Sequence, residues 1–134
     1  RAEFLRYGSI HRNSYLNSPG VLGPALTARD DDTLFFAGQF TGVEGYTESI
    51  ATGLLAGINL ARRLDGRPVT VPPPTTMLGA LYRYLREADP AHFQPMNANF
   101  GLLDPLDGKV RKDDKKQRLI ARAEVDFAAW RSSL

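Results

Sequence analysis

The stretch Phe35-Phe36-Ala37-Gly38-Gln39-Phe40-Thr41-Gly42-Val43-Glu44-Gly45-Tyr46-Thr47-Glu48-Ser49 decides how this chain is read. An apolar run, Leu34 to Ala37, ends in closely spaced glycines, and a long helical pattern follows. That order predicts a strand, a glycine-rich turn and the start of a helix. A turn of this kind exposes backbone N–H groups at the positive end of a helix, which suits an anionic group. The glycines fall as G-x-x-x-G-x-x-G, which is not the dinucleotide fingerprint, and no acidic residue about 20 positions on closes a second strand. On spacing alone, a cofactor site and a plain strand-to-helix turn fit equally.

The helix itself is expected over residues 43–64. Ile50, Leu54, Leu55, Ile58, Ala61 and Leu64 recur at the spacing of one face, and Gly66 is a stop signal behind Arg62 and Arg63. Glycine inside a helix costs about 0.5–1 kcal/mol relative to alanine. Gly53 and Gly57 therefore predict a neighbour lying close to the backbone, most simply a strand or another helix. Glu44 and Glu48 suit the helix start through the dipole but would repel a phosphate held there. They point to a less charged partner, such as a ring carbonyl of a flavin, which gains negative charge on reduction.

Upstream, residues 3–18 predict a short strand and then a loop ending at Ser18-Pro19-Gly20. Residues 25–29 and 33–38 predict two short strands around the acidic turn Asp30-Asp31-Asp32. Downstream, Pro68 to Pro74 forms an extended strap, because proline fixes φ and lacks a donor. Thr75 or Thr76 caps a second helix through about Ala88, with Met77, Leu78, Leu81, Tyr82 and Leu85 on one side. Residues 89–108 read as an ordered irregular segment. A last helix starts near Asp113 and carries Leu119, Ile120, Ala123, Phe127, Trp130 and Leu134 at spacings of three or four.

The 134 residues suit one domain, and 43% hydrophobic with 24% charged residues is too apolar for disorder. No apolar run reaches the roughly 18–20 residues of a membrane span, and no membrane partner is expected. The chain contains no cysteine, which excludes disulfides, cysteine-ligated metals and a cysteine nucleophile within it. No metal site and no catalytic residue are assigned here, and a cytoplasmic setting is compatible. The chain opens at Arg1-Ala2-Glu3 without an initiator methionine, so it reads as the middle of a longer protein. Its net charge is +2, but Lys109, Arg111, Lys112, Lys115, Lys116, Arg118 and Arg122 crowd one segment, relieved by Asp113 and Asp114. Such a cluster fits a solvated helix face and also permits nucleic-acid contact.

Longer motifs then carry a resemblance. Phe35-Ala37-Gly38-Gln39, Gly42 to Tyr46, Ala51-Thr52-Gly53-Leu54-Leu55-Ala56-Gly57-Ile58-Asn59 and Phe93-Gln94-Pro95-Met96-Asn97 closely resemble the C-terminal part of the TrmFO family. So do Glu3 to Gly8, His11-Arg12-Asn13, Asn17-Ser18-Pro19, Pro72 to Thr76, Asn99 to Leu103 and the basic last helix. The related GidA/MnmG flavoproteins, which modify wobble uridines, share the glycine-rich core. The His-Arg-Asn and Phe-Gln-Pro-Met-Asn runs favour TrmFO.

The resemblance implies an α/β fold: the C-terminal portion of a Rossmann-like FAD-binding domain, incomplete on its own. Residues 1–67 would close that domain, and residues 68–134 would add the strap and two helices packed on it. It also implies a folate- and FAD-dependent tRNA uracil-C5-methyltransferase. Methylenetetrahydrofolate would supply the carbon, NADPH or NADH would re-reduce the flavin, and family cysteines absent from this chain would serve the chemistry. The implied partners are tRNA and the remaining N-terminal part of the enzyme. Gly38, Gln39, Gly42, Val43, Glu44, Gly45 and Tyr46 become candidates for FAD, with backbone donors of Gly42, Val43 and Gly45 facing the ring or ribityl chain. Arg6, His11, Arg12 and Asn13 become candidates for folate or tRNA, and Lys112, Lys115, Lys116 and Arg118 for tRNA phosphates. Tyr46 fits a ring-stacking residue or a core tyrosine, and His11 fits a ligand or a loop histidine. Two readings without catalysis stay open: a standalone flavin- or nucleotide-binding module, and a structural or RNA-contacting domain.

Overall fold

The computed structural model describes Glu3, residues 14–108 and residues 110–134. Among the described residues four α-helices appear in chain order: α1 (Ser18–Val21), α2 (Tyr46–Leu64), α3 (Met77–Glu87) and α4 (Lys112–Arg131). Two 3-10 turns, Gly38–Thr41 and Phe100–Leu102, complete the regular structure of the described residues. The strand expected near the start falls largely outside the described residues. Ser18-Pro19-Gly20, expected as the end of a loop, instead begins the single turn α1, with proline at its N-terminal end.

The strands expected at 25–29 and 33–38 do not form. Only isolated antiparallel bridges, Leu22 with Ala28 and Thr27 with Phe35, join these segments. Leu26 takes φ 58°, in the left-handed region, and so breaks the extended run. A lone pair of short strands is also marginal without a third strand beside it. The one parallel bridge among the described residues, Val43 with Met96, ties the glycine-rich turn to the segment after α3.

α2 begins at Tyr46, not at residue 43, because Gly42 (φ 81°) and Gly45 (φ 96°) are left-handed and cannot continue a helix. It ends as expected at Gly66 (φ 69°), whose N–H donates to the Arg63 carbonyl at 3.0 Å. The face expected for this helix splits in two. Leu55 is buried and Ile58 is half-buried, whereas Ile50, Leu54 and Leu64 are 72%, 64% and 80% exposed. Within α2 the fully buried partners are polar. Thr52 turns toward the glycine-rich turn, and the Asn59 carboxamide pairs with both backbone groups of Thr70, at 2.8 and 2.7 Å. That pairing staples the proline strap to the helix and satisfies a buried amide.

α3 is the centre of the core. Leu81, Tyr82 and Leu85 meet Leu22, Leu26, Val43, Leu55 and Phe93, so both halves of the chain supply one core. Thr76 caps α3: its hydroxyl accepts the Gly79 N–H at 3.1 Å and donates to the Pro73 carbonyl at 2.7 Å. Gly79 sits against the same strap, where an added Cβ would run into the Pro73 carbonyl oxygen. α4 lies more loosely. Leu119 is its one buried residue, and Trp130 anchors it by donating Nε1–H to Thr70 Oγ1 at 2.7 Å. Trp130 also packs against the core and so anchors the end of α4.

Alanine at Gly79 would gain about 1 kcal/mol of helix propensity. The collision with Pro73 should outweigh it, so Gly79→Ala is expected to destabilise by about 1–3 kcal/mol in urea unfolding. Burial pushes the Tyr82 phenol well above the ordinary tyrosine range. Raising the pH through about 10 then ionises the unfolded state first, and stability falls there while staying level below. Tyr82→Phe is expected to flatten that alkaline fall, measured by unfolding at about pH 8 and about pH 11.

Candidate functional site

The glycine-rich turn is held from below by hydroxyls. The Gly38 N–H donates to Thr52 Oγ1 at 2.9 Å, and Thr52 in turn bonds back to the Glu48 and Ser49 carbonyls of its own helix. Thr41 Oγ1 donates to the Gly38 carbonyl, and the buried Ser18 donates to the Thr41 carbonyl, both at 2.8 Å. From the other side, the Glu44 N–H donates to the Met96 carbonyl and the Met96 N–H to the Gly42 carbonyl, each at 2.9 Å. Gly42 is required twice, by its φ and by Phe93, whose Cζ lies 2.5 Å from where a Cβ would stand. Phe93 and Met96 are therefore packing residues.

The seven candidate cofactor residues divide by exposure. Gly42 and Val43 are buried, and the Gly42 N–H is used inside the turn by the Gln39 carbonyl at 3.0 Å. Of the three backbone donors assigned from sequence, Gly45 alone stands at the surface. It is the N-cap of α2, and no side chain caps that helix end. Tyr46 is 93% exposed, which removes the core-tyrosine alternative within this chain. Gln39 and Glu44 are exposed, and Gly38 is half-buried.

Glu48 differs from its sequence reading as a carboxylate opposing a bound phosphate. Its Oε1 accepts the Ala98 N–H at 3.1 Å, and the side chain folds over Gly45 where a Cβ would collide with it. The negative charge is thus partly spent on fixing α2 against residues 96–98. What remains at the surface is an uncapped helix N-terminus beside a glycine and an exposed tyrosine. This fits one edge of a planar, weakly anionic ring. It does not by itself enclose a cofactor.

The basic candidates lie elsewhere. Lys112, Lys115 and Lys116 sit together at the start of α4 and line a cleft of about 420 Å³ with Phe100, Gly101 and Leu119. Arg118 is exposed and does not line it. Arg122 is a structural residue: its guanidinium donates to the Asp104 and Pro105 carbonyls at 2.7 and 3.1 Å. Arg6, His11, Arg12 and Asn13 lie outside the described residues, as does Lys109 of the basic run. Sequence reasoning missed Thr52, Ser18 and Phe100. A threonine inside a glycine-rich helix was the available signal for Thr52.

The expected neighbour of Gly53 and Gly57 is not present among the described residues, since nothing lies within 4 Å of a Cβ at either position. With Ile50, Leu54 and Leu64 they form an open apolar side of α2.

A family model described as glucose inhibited division protein A matches residues 1–68, and the chain belongs to that family. Curated relatives named methylenetetrahydrofolate–tRNA-(uracil-5-)-methyltransferase TrmFO are similar over nearly the whole chain. The Geotalea daltonii protein is 51% identical over 129 residues, covering 96% of this chain and 30% of its own length. The Thermus thermophilus protein is 51% identical over 133 residues, 99% of this chain and 30% of its own length. The Exiguobacterium sp. protein is 55% identical over 117 residues, 87% of this chain and 27% of its own length. The resemblance to TrmFO read from the motifs therefore holds, and the chain spans about 30% of the length of these relatives.

Thr52→Val keeps the shape of the side chain but leaves the Gly38 N–H without its acceptor. The expected cost is about 1–3 kcal/mol in thermal or urea unfolding, with Thr52→Ser close to wild type.

Proposed function

We propose that this chain is part of an FAD- and methylenetetrahydrofolate-dependent methyltransferase that forms 5-methyluridine in the T-loop of tRNA. The observation that carries this reading is the identity of about half the residues, over almost the whole chain, to proteins bearing the TrmFO name. In this reading the chain supplies the closing portion of a Rossmann-like FAD-binding domain, residues 1–67, followed by the strap and helices of residues 68–134. The open apolar side of α2 supports a role as part of something larger, because Ile50, Leu54 and Leu64 cost free energy while they face water. Covering them would also give Gly53 and Gly57 the close neighbour their cost implies.

FAD, when bound, supplies the reducing electrons, which NADPH or NADH restores. The residues of this chain would bind and orient it. Gly45 and the first amides of α2 carry partial positive charge toward the ring edge that becomes anionic on reduction. Thr52, Ser18 and the Val43–Met96 bridge hold those amides in place. Gly38, Gln39, Glu44 and Tyr46 complete the flavin side. Arg6, His11, Arg12 and Asn13 are the candidates for folate or RNA, and Lys112, Lys115, Lys116 and Arg118 for tRNA phosphates. No cysteine nucleophile comes from this chain, which has no cysteine, and a cytoplasmic setting suits a tRNA substrate.

Lysines at a helix start oppose the dipole, so Lys115 and Lys116 are not placed there for helix stability. The full-length protein is expected to show a flavin absorption spectrum. Lys115→Glu combined with Lys116→Glu should leave that spectrum intact, weaken tRNA binding and lower its salt dependence. Unchanged tRNA affinity at physiological salt would refute the RNA contact, and a full-length protein purified without flavin would refute the cofactor assignment.

A further inference from the structure

Phe100 is the wall between two adjoining hollows of opposite character. On one side lies the lysine cleft of about 420 Å³; on the other, an apolar hollow of about 290 Å³ bounded by Met77, Leu103, Leu119, Ile120 and Phe127. Leu119 also lines both. We propose that this paired hollow seats one unpaired nucleotide of the RNA substrate, its base stacked on Phe100 and its phosphates held by Lys112, Lys115 and Lys116. The proposal rests on the RNA-contact reading above and adds a base-stacking residue to it.

Charge selects the occupant. An apolar hollow alone would suit any greasy partner, but three lysines beside it call for an anion with a flat apolar body, which describes a nucleotide. Asp113 and Asp114 are the opposing charges, and Asp114 is engaged by Arg111 at 3.8 Å. Within the hollow, Glu124 is the single charged lining residue, and the Thr76 hydroxyl is already used by Gly79 and Pro73. The base is therefore gripped by its face with little reading of its edges, so the seat tolerates any base.

Phe100 is also held ready. It opens the 3-10 turn that Asn99 caps by accepting the Gly101 N–H at 2.9 Å. Arg83 donates to the Leu102 carbonyl at 2.6 Å and pairs with Asp104. Arg122 then ties the Asp104 carbonyl to α4. These bonds fix the ring against the lysine helix, although the ring remains 40% exposed. Lys116 Nζ lies 5.4 Å from the ring centroid. An exposed cation–π contact is weak. A base can displace it, and the released ammonium stays within reach of the phosphate that comes with the base.

The test is binding of an unmodified tRNA transcript to the full-length protein at several salt concentrations, with flavin absorbance and melting temperature as checks of folding. Phe100→Leu keeps apolar volume and removes the ring. It should weaken binding about 5- to 100-fold with the salt slope unchanged. Phe100→Trp should bind at least as tightly as wild type, and it decides the matter if Phe100→Leu lowers the melting temperature. A wild-type affinity for Phe100→Leu, or a loss with Phe100→Trp, overturns the stacking seat. If the Lys115→Glu, Lys116→Glu protein is still weakened in that case, the RNA contact itself stands. If neither change affects binding, both readings fail together.

Discussion

The ring of Phe93 occupies the space that a side chain on residue 42 would need, and the glycine-rich turn and the start of α2 are arranged around that contact. Because residue 42 is glycine, the turn can take a left-handed φ and Phe93 can come into contact with its backbone. The approach brings Met96 into register beside Val43, and the two exchange backbone hydrogen bonds through Gly42 and Glu44. Those bonds place Ala98 under Glu48, which sets the start of α2. One close contact thus couples residues more than 40 positions apart and sets the direction in which a helix N-terminus points.

The surfaces that this arrangement leaves open differ in kind. The outer side of α2 is apolar and rich in small residues, which suits a tightly packed protein neighbour. The start of α4 is basic and lies beside an exposed aromatic ring, which suits a nucleic acid. The two lie on different helices, separated in sequence by α3 and the loop after it. Both surfaces are therefore open at once, each away from the core around Leu81 and Leu85.

Much of this was legible beforehand. Helices α2, α3 and α4 were signalled by apolar spacing, by Thr76 as a cap, by Gly66 as a stop and by the proline strap, all of which act over a few residues. The two strands expected at 25–29 and 33–38 did not form, because Leu26 adopts a left-handed conformation that no local preference for leucine suggests. A single amphipathic face was expected for α2 where the structure has two. Periodicity locates apolar residues around a helix but does not say which of them finds a partner. The candidate flavin residues were recognisable as a group, yet only burial separated Gly42 and Val43 from Gly45 and Tyr46.

By itself the sequence determined the helices α2, α3 and α4, the stop at Gly66, the absence of a cysteine nucleophile and the basic character of the last helix. These depend on backbone sterics, capping chemistry and composition, which are properties of short segments. Only the tertiary structure decided that Glu48 serves Ala98, that Thr52 holds Gly38, that Arg122 is tied to a loop, and that Phe100 stands among the lysines. Each of these joins groups through hydrogen bonds, packing or charge, and such pairings exist only once the chain has closed on itself and made the contacts mutually exclusive.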